Sequence, residues 1–198
     1  MKKILIASGN SHKIKEISSI VSDIPNLEVT TLNNFGICLE VEENGNTLEQ
    51  NALIKAKSVY SLLGMPVISD DTGLFVNALN GEPGIYSARY AGLNAAYKDN
   101  CDKLLDNLKE IDDDNLQAEF KCFICLLINP EEFYFFEGIC RGRICRSPKG
   151  ENGFGYDPVF MPDGFEKTFA ELTDDEKNLI SHRGRALEKL KGFLINYQ

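Results

Sequence analysis

The sequence lacks any apolar run that approaches the roughly 20 residues a membrane-spanning helix needs. It also lacks an excess of basic residues, because 21 lysines and arginines stand against 30 acidic side chains and give a formal net charge of -9. Nucleic acids and anionic membrane surfaces bind basic surfaces, so this charge argues against both as partners. A small anionic ligand is compatible with the chain if Lys and Arg cluster locally or a metal ion takes part.

Internal repeats, low-complexity tracts and clear linkers are also absent. The 198 residues suit one sizeable domain or two small lobes that share a sheet. The chain starts with basic residues and an apolar run over residues 4–7, but Ser8-Gly9-Asn10 interrupts this run too early for the hydrophobic region of a secretion signal. We therefore expect a cytoplasmic protein.

Six cysteines are present, and two of them form Cys122-Phe-Ile-Cys125, which looks like half of a zinc site. This motif lies inside residues 119–128, a segment with the composition of a strand. Strand residues three apart face opposite sides of a sheet and cannot share one ion. We expect buried, reduced cysteines instead, which agrees with a reducing compartment.

The most informative stretch is Ser69-Asp70-Asp71-Thr72-Gly73. The apolar run before it predicts a short buried strand, which we expect to end at the two carboxylates and open into a loop. Paired carboxylates are costly to bury without partners. Neighbouring strand residues point to opposite faces, so Asp70 and Asp71 should differ in role, one at a metal ion and the other supporting the loop. An exposed Asp-Asp turn is the alternative, because turn chemistry explains Asp, Thr and Gly equally well.

A second candidate site follows the predicted first strand, residues 3–7. The segment Ser8-Gly9-Asn10-Ser11-His12-Lys13 opens a helix whose apolar positions follow the helical period. A small-residue turn there leaves backbone N–H groups that favour phosphate, and Lys13 adds a cation. It is not a Walker loop, because G-x-x-x-x-G-K-[ST] is absent. The alternative is a plain turn that Asn10 or Ser11 caps.

An acidic segment, residues 40–46, precedes a helix whose start is predicted by a capping box of Thr47 and Gln50. Such segments are most often only solvated charge. If Glu42 or Glu43 faces the carboxylate pair, however, the acids supply the hard oxygen ligands that Mg²⁺ prefers.

Later segments predict an amphipathic helix and then two long strands, residues 118–128 and 133–144, in an antiparallel hairpin. The glycines that bracket Phe154 and Asp157 let a backbone approach a flat ligand closely. Phe can stack on a base and Asp can recognise its edge, although an aromatic plug in a Gly-rich turn is the alternative.

Ser181-His182-Arg183 begins the final predicted helix. Cations at a helix N-terminus are electrostatically disfavoured, so His182 and Arg183 suggest a nearby anion or acceptor. An exposed first-turn Arg is the alternative.

Together these segments resemble the inosine triphosphate pyrophosphatase family of the Ham1/RdgB type. The motifs are Ser8-Gly9-Asn10 with Lys13 and Glu16, Gly45 to Ala56, Ser69 to Gly73 with Pro83 to Gly92, Phe154 to Pro158, and Ser181 to Arg183. They stand in the family's order over nearly the whole chain. The resemblance implies an α/β fold with an elongated mixed β-sheet flanked by helices, in a single domain of two lobes with a central cleft over residues 1–198. It also implies a homodimer.

The resemblance further implies Mg²⁺-dependent hydrolysis of ITP, dITP and XTP to the monophosphate and pyrophosphate, which cleanses the nucleotide pool. Asp71 would be the catalytic proton acceptor and a metal ligand, and Glu42 the other metal carboxylate. The substrate-binding positions would be Ser8, Gly9, Asn10, Ser11, His12, Lys13, Lys55, Thr72, Phe154, Gly155, Tyr156, Asp157, Lys177, His182 and Arg183. Donors such as Arg183 and Lys177 match the 6-oxo group of hypoxanthine or xanthine.

One departure is Gln50, where the family usually has an acid, and this removes a possible extra carboxylate ligand. Two other functions are compatible with parts of the pattern. One is a Maf-like nucleotide pyrophosphatase with a similar fold and different bases. The other is a non-catalytic nucleotide-binding module.

Overall fold

The computed structural model describes residues 3–39 and 41–197, so Glu40 of the acidic segment lies outside the described residues. The helices are α1 (Ser11–Val21), α2 (Leu48–Leu63), α3 (Tyr97–Leu108), α4 (Asp174–Ile180) and α5 (His182–Asn196). The strands are β1 (Lys3–Ile6), β2 (Glu28–Thr31), β3 (Val67–Val76), β4 (Pro83–Gly84), β5 (Gln117–Asn129), β6 (Glu132–Ile144) and β7 (Phe160–Pro162).

The strands form one mixed sheet in the order β2-β1-β3-β5-β6-β7, with β4 paired to β3. Strand β1 runs parallel to β2 and β3, whereas β4 and β7 run antiparallel to their partners. Strands β5 and β6 are neighbours joined by two residues only, a connection that antiparallel strands alone can use. The predicted α/β class, mixed sheet and hairpin are therefore confirmed.

The chain divides into two compact units. Unit 1 comprises Met1–Asp71, Cys122–Gly138 and Arg183–Gln198, and unit 2 comprises Thr72–Lys121 and Ile139–His182.

Unit 1 has two apolar cores, because side chains alternate along its strands. One core joins Ile4, Ile6 and Ile68 to apolar residues of α1 and α5. The other core joins Leu5 and Val67 to the apolar side of α2. Parallel strands covered on both faces have this near-continuous apolar character. Cys122 lies in the first core and Cys125 in the second, which confirms that they face opposite sides.

Unit 2 has a single core rich in aromatic side chains. Phe120 packs edge-on against Phe160 at 4.7 Å between ring centroids, and both rings approach Phe169. Apolar residues of α3, including the fully buried Leu104, complete this core. Offset and edge-to-face ring pairs of this kind stabilise a core beyond the area they bury.

Strand β3 does not end at the carboxylates, so the expected loop after Ile68 was wrong. The strand continues to Val76 and pairs with β4 through Leu74 and Phe75. Gly73 permits this pairing, since a Cβ there would lie 2.5 Å from the carbonyl oxygen of Gly84. Turn propensity of Asp, Thr and Gly therefore gives way to strand pairing.

Helix ends follow their local signals more closely. The Asn10 side chain caps α1, Gly64 ends α2 in the left-handed conformation, and Thr173 with Glu176 forms a capping box at α4. At the start of α2, only one of the two hydrogen bonds of the predicted capping box is formed. Thr47 accepts the N–H of Gln50, but the Gln50 side chain accepts the N–H of Asn46. All six cysteines are free thiols, and no helix within residues 3–39 and 41–197 is long and apolar enough to cross a membrane.

Candidate active site

Asp70 lies at the centre of a buried ion-pair cluster in unit 1. Its position on β3 has the parity of Ile68, so its side chain points to the face that α1 and α5 cover. Lys13 Nζ lies 2.9 Å from Asp70 Oδ2, and Arg183 donates to the same oxygen from Nε at 3.3 Å and Nη2 at 3.1 Å. Arg183 also donates from Nη1 to Glu16 at 2.5 Å.

The electrostatics of this cluster favour the charged forms. Burial would raise the pKa of Asp70, but Lys13 and Arg183 outweigh it and hold the pKa well below its ordinary value. Burial likewise disfavours the Arg183 cation, yet Asp70 and Glu16 raise its pKa. Asp70 is therefore an ionised, fully paired anchor.

Asp71 has a different environment on the opposite face of β3, where α2 packs. Lys55 Nζ lies 2.9 Å from Asp71 Oδ1 and 3.4 Å from Glu43 Oε1. The other oxygen, Asp71 Oδ2, is buried and has no hydrogen-bond partner in the described part of the chain. One carboxylate oxygen is thus held by a lysine, while its neighbour is buried without a hydrogen-bond partner among the described residues.

The pKa values at Asp71 and Lys55 both lie above their ordinary values. Burial raises the pKa of Asp71 above 3.8, and the attraction of Lys55 does not overcome it. Burial lowers the pKa of Lys55, but Asp71, Asp70 and Glu43 together outweigh that effect. Lys55 therefore stays protonated, while Asp71 can exchange a proton more readily than Asp70.

In the acidic segment, Glu43 is the residue that contacts Lys55, the partner of Asp71. Glu43 is partly exposed and contacts Lys55, whereas the Glu42 side chain is exposed. The segment is also fastened to α2, because Asn51 Oδ1 accepts the N–H of Gly45 at 2.8 Å. The structure thus brings Glu43, rather than Glu42, next to Lys55.

The segment Ser8–Lys13 forms the start of α1 in unit 1. Asn10 Oδ1 accepts the N–H groups of His12 and Lys13 at 3.0 and 3.3 Å, and Ser8 Oγ accepts the N–H of Asn10 at 3.2 Å. Gly9, Ser11 and His12 are exposed. The positive end of α1 and the partly exposed Lys13 make this an electropositive surface, although Asn10 already occupies two of the amides.

The residues at Asp71 fit a divalent cation. Within residues 3–39 and 41–197 no group of three or more His, Cys, Asp or Glu is arranged to hold a metal ion. Mg²⁺ does not require such a cage, since it is usually bound by one or two carboxylates and retains waters and substrate oxygens. Oδ2 of Asp71, which has no hydrogen-bond partner within the described ranges, and Glu43 on the same lysine are two carboxylates of the kind that Mg²⁺ uses.

A second polar cluster lies in unit 2, where four predicted site residues meet. Lys177 Nζ lies 2.8 Å from Asp157 Oδ2 and 4.8 Å from the ring centroid of Phe154. The same Asp157 oxygen accepts the N–H of Phe154 at 2.7 Å. Lys177 and Asp157 are both buried, so their charges are paired. Gly155, with a positive φ of 63°, lies in the same turn.

Gly153 leaves room for the Asp157 side chain in this cluster, a role that the sequence did not predict. A Cβ at Gly153 would lie 2.1 Å from Asp157 Oδ2, so the glycine admits a carboxylate of the protein itself. Tyr156, also buried, donates its hydroxyl to the carbonyl of Ser87 at 2.9 Å. His182 stacks on Phe120 with 4.5 Å between ring centroids. Thr72 lies on β3, partly exposed.

Sequence reasoning missed Asn51 and the contact that Glu16 makes with Arg183. Asn51 stands three residues after Leu48 and one before Ala52, on the apolar stripe of α2. A polar residue on an apolar stripe is the signal that could have identified it. The Glu16 contact joins residues 167 apart in the chain, and no local pattern indicates it.

Known proteins resemble this chain along its whole length. The Ham1 family model matches residues 4–193. A dITP/XTP pyrophosphatase of Clostridium perfringens is 48% identical over 197 residues, which cover 96% of each chain. The solved Ham1 protein of Staphylococcus aureus has a TM-score of 0.88 at 41% identity and covers 100% of both chains. A HAM1 protein from Coxiella burnetii gives 0.90 at 40% identity, covering 99% of this chain and 100% of its own.

Proposed function

Because this chain belongs to the Ham1 family, we propose that it hydrolyses dITP, ITP and XTP to the monophosphate and pyrophosphate. Relatives at 48% identity are named dITP/XTP pyrophosphatases, and their similarity covers nearly the full length. The observation that carries the proposal is the environment of Asp71. A buried carboxylate with one oxygen on Lys55 and the other unpartnered among the described residues is equipped for proton transfer or cation binding.

We assign the triphosphate to residues of unit 1. A triphosphate carries about four negative charges, which an acidic protein must offset with local cations and backbone N–H groups. The segment Ser8–Lys13 offers the positive end of α1 with Lys13, and Lys55 adds a second ammonium group. Both lysines are largely buried and already oriented by Asp70 and Asp71, so little ordering is needed when phosphate binds.

Asp71 is the proposed proton acceptor. Burial raises the pKa of Asp71 in the metal-free chain, which favours proton acceptance, and Lys55 orients the carboxylate through Oδ1. Mg²⁺, held by Asp71 with Glu42 or Glu43, would supply charge neutralisation at the phosphates. The chain's own contribution is therefore placement of the base and of the cations around the phosphates.

We assign base recognition to the cluster of unit 2 and to Arg183. The Lys177 ammonium group is a donor that matches the 6-oxo group of hypoxanthine and opposes the 6-amino group of adenine. Phe154 presents an aromatic face, and Asp157 orients Lys177. Arg183 is a weaker candidate on its geometry, because Asp70 and Glu16 both bind its guanidinium group.

The biological role that follows is removal of deaminated purine triphosphates from the nucleotide pool. We place this role in the cytoplasm, where six free thiols are stable. We also propose a homodimer from the family resemblance. Sedimentation in the presence of a reductant checks the dimer, since it excludes links through the exposed Cys38.

A panel of nucleotides tests the activity directly. Purified protein with Mg²⁺ should release pyrophosphate, and no orthophosphate, from dITP, ITP and XTP. ATP and dTTP should react at least 100-fold more slowly in kcat/KM, because the 6-amino group and the smaller ring mismatch the donor cluster. Stepwise release of orthophosphate would contradict the reaction class, and preferential hydrolysis of dTTP or UTP would favour a Maf-like specificity.

A further inference from the structure

Asn51 is completely buried on α2, although the proposed reaction gives it no task. Its Oδ1 accepts the N–H of Gly45 at 2.8 Å, which joins the acidic segment to the helix. Its Nδ2 is buried and has no hydrogen-bond partner within residues 3–39 and 41–197. Buried amides normally satisfy both ends, so a half-satisfied amide at this place requires an explanation.

Gly45 is shaped to make this contact. A Cβ at position 45 would lie 2.6 Å from Asn51 Oδ1 and 2.8 Å from the Cβ of Gln50. Only glycine therefore lets the backbone come this close to the helix. Gly45 follows Glu42 and Glu43 by only three and two residues. The contact therefore limits where the backbone of both acids can lie.

A second contact between the acidic segment and α2 lies one helical turn further along the helix. Lys55, four residues after Asn51 and on the same side of the helix, contacts Glu43 at 3.4 Å and Asp71 at 2.9 Å. Asn51 and Lys55 thus hold the acidic segment at Gly45 and at Glu43, and the exposed Gln50 adds its contact with the N–H of Asn46.

The chemistry of the side chain explains why an amide stands at position 51. An Asp there would accept the same N–H, but it would add a further buried carboxylate beside Glu43 and Asp71. Like charges at such spacing destabilise one another. An amide oxygen accepts the hydrogen bond without adding charge.

We propose that Asn51 is a positioning residue: by accepting the Gly45 N–H it holds Glu42 and Glu43 where a divalent cation bound at Asp71 can reach them. This inference rests on the proposed function for its role in turnover. Its structural part, the coupling of the Asn51–Gly45 contact to cation affinity, can be measured without any substrate. Residues that orient metal ligands commonly change metal affinity by about 10–100-fold when removed.

The test uses three variants. Asn51→Ala removes the acceptor from the helix, and Gly45→Ala breaks the same contact from the half-buried acidic segment while Asn51 itself stays in place. Ser61→Ala is the matched control, because Ser61 is exposed on the same helix and its Oγ donates to the carbonyl of Lys57 at 2.9 Å, away from the acidic segment. Three quantities are measured: amide exchange over residues 41–47, Mn²⁺ binding without nucleotide, and kcat and KM for dITP as Mg²⁺ is varied.

Both contact-breaking variants should speed exchange at residue 45 and weaken Mn²⁺ binding by about tenfold or more. They should raise the half-saturating Mg²⁺ concentration to the same extent and lower kcat at low Mg²⁺, with KM for dITP changed less than about twofold. Ser61→Ala should stay within about twofold of the parent protein in each quantity. Restoration of kcat by high Mg²⁺ would separate positioning from a loss of structure.

Faster exchange at residue 45 with unchanged Mn²⁺ affinity would overturn the proposal, as would an effect of Ser61→Ala equal to that of Asn51→Ala. If Asn51→Ala loses cooperative unfolding, the Gly45→Ala result decides. If the parent protein fails to hydrolyse dITP, the proposed function fails, while exchange and Mn²⁺ binding still decide the role of Asn51.

Discussion

Asp70 and Asp71 are adjacent and almost equally buried, at 2% and 6% exposure, yet their surroundings differ in kind. One oxygen of Asp70 is bound by Lys13 and Arg183 together, whereas Asp71 has one lysine and an oxygen without a partner among the described residues. Burial raises the pKa of both carboxyl groups. Lys13, Arg183 and Lys55 reverse this effect on the pKa of Asp70, whereas Lys55 and Lys13 do not reverse it for Asp71, whose pKa Glu43 raises further.

The comparison teaches that depth of burial does not distinguish an anchoring carboxylate from a reactive one. The number of cations in contact does, since it decides whether the charged form is locked or exchangeable. Strand alternation makes this contrast possible within one dipeptide, because it sends Asp70 to the face of α1 and α5 and Asp71 to that of α2.

The largest expected effect is that of Asp71→Asn on turnover. The substitution keeps the shape of the side chain but removes the proton acceptor, so kcat for dITP should fall by about 10²–10⁴-fold. Stability should change by no more than about 1 kcal/mol, because the wild-type carboxylate is itself costly to ionise in this position. Rate measurements and urea unfolding of the same preparation check both parts, and retained turnover would refute the role of Asp71.

Asp70→Asn should affect stability more than turnover, the reverse of what we expect for Asp71→Asn. Removing this charge leaves Lys13 and Arg183 without their shared anion in a buried place, which should cost about 3–5 kcal/mol in the free energy of unfolding. Turnover per folded molecule should fall less than at Asp71→Asn. Denaturant titration gives the free energy, and a variant as stable as the parent would show that the cluster is not an anchor.

The pH dependence of stability should also separate the two carboxylates. Asp70 has a lowered folded-state pKa, so its contribution is fully present above the unfolded value near 3.8 and is lost as pH falls through and below it. Asp71 has a raised folded-state pKa, so its contribution is present below 3.8 and is lost as pH rises through the folded value. We therefore expect the free energy of unfolding of metal-free protein, measured between pH 3 and pH 7, to fall less steeply with decreasing pH in Asp70→Asn than in the parent protein.

Lys13→Ala should give the smallest effect of the series. Lys13 keeps 18% of its side chain exposed, and Asp70 retains Arg183, so the stability cost should be about 1 kcal/mol. If Lys13 contacts phosphate, KM for dITP should rise about tenfold, equivalent to about 1.4 kcal/mol, with little change in kcat. Lys3→Ala, which breaks an exposed pair with Glu28, is the control and should leave KM unchanged.

Features set by neighbouring residues could be predicted from the sequence. The cap at Asn10, the end of α2 at Gly64 and the box at Thr173 depend on side chains within three or four positions. The opposite faces of Cys122 and Cys125 follow from the period of a strand. The separate environments of Asp70 and Asp71 follow from the same period.

Features that depend on residues far apart in the chain could not be predicted from the sequence. Arg183 binds Asp70 across 113 positions, and this pairing removes the penalty that made a buried Asp-Asp strand look unfavourable. The length of β3 depends on its pairing with β4, which turn propensity cannot anticipate. Family resemblance supplied the site residues as a set, but it did not indicate that Glu43 would be the acid in contact with Lys55.

The alternation of β3 also limits how this protein can evolve. The two carboxylates contact different helices, because Asp70 faces α1 and α5 and Asp71 faces α2. Loss or gain of one residue between Val67 and Asp70 would turn every later side chain of the strand to the other face, so the two acids would trade environments in a single step. The length of this four-residue stretch is therefore more constrained than the identity of Val67 or Ile68 within it.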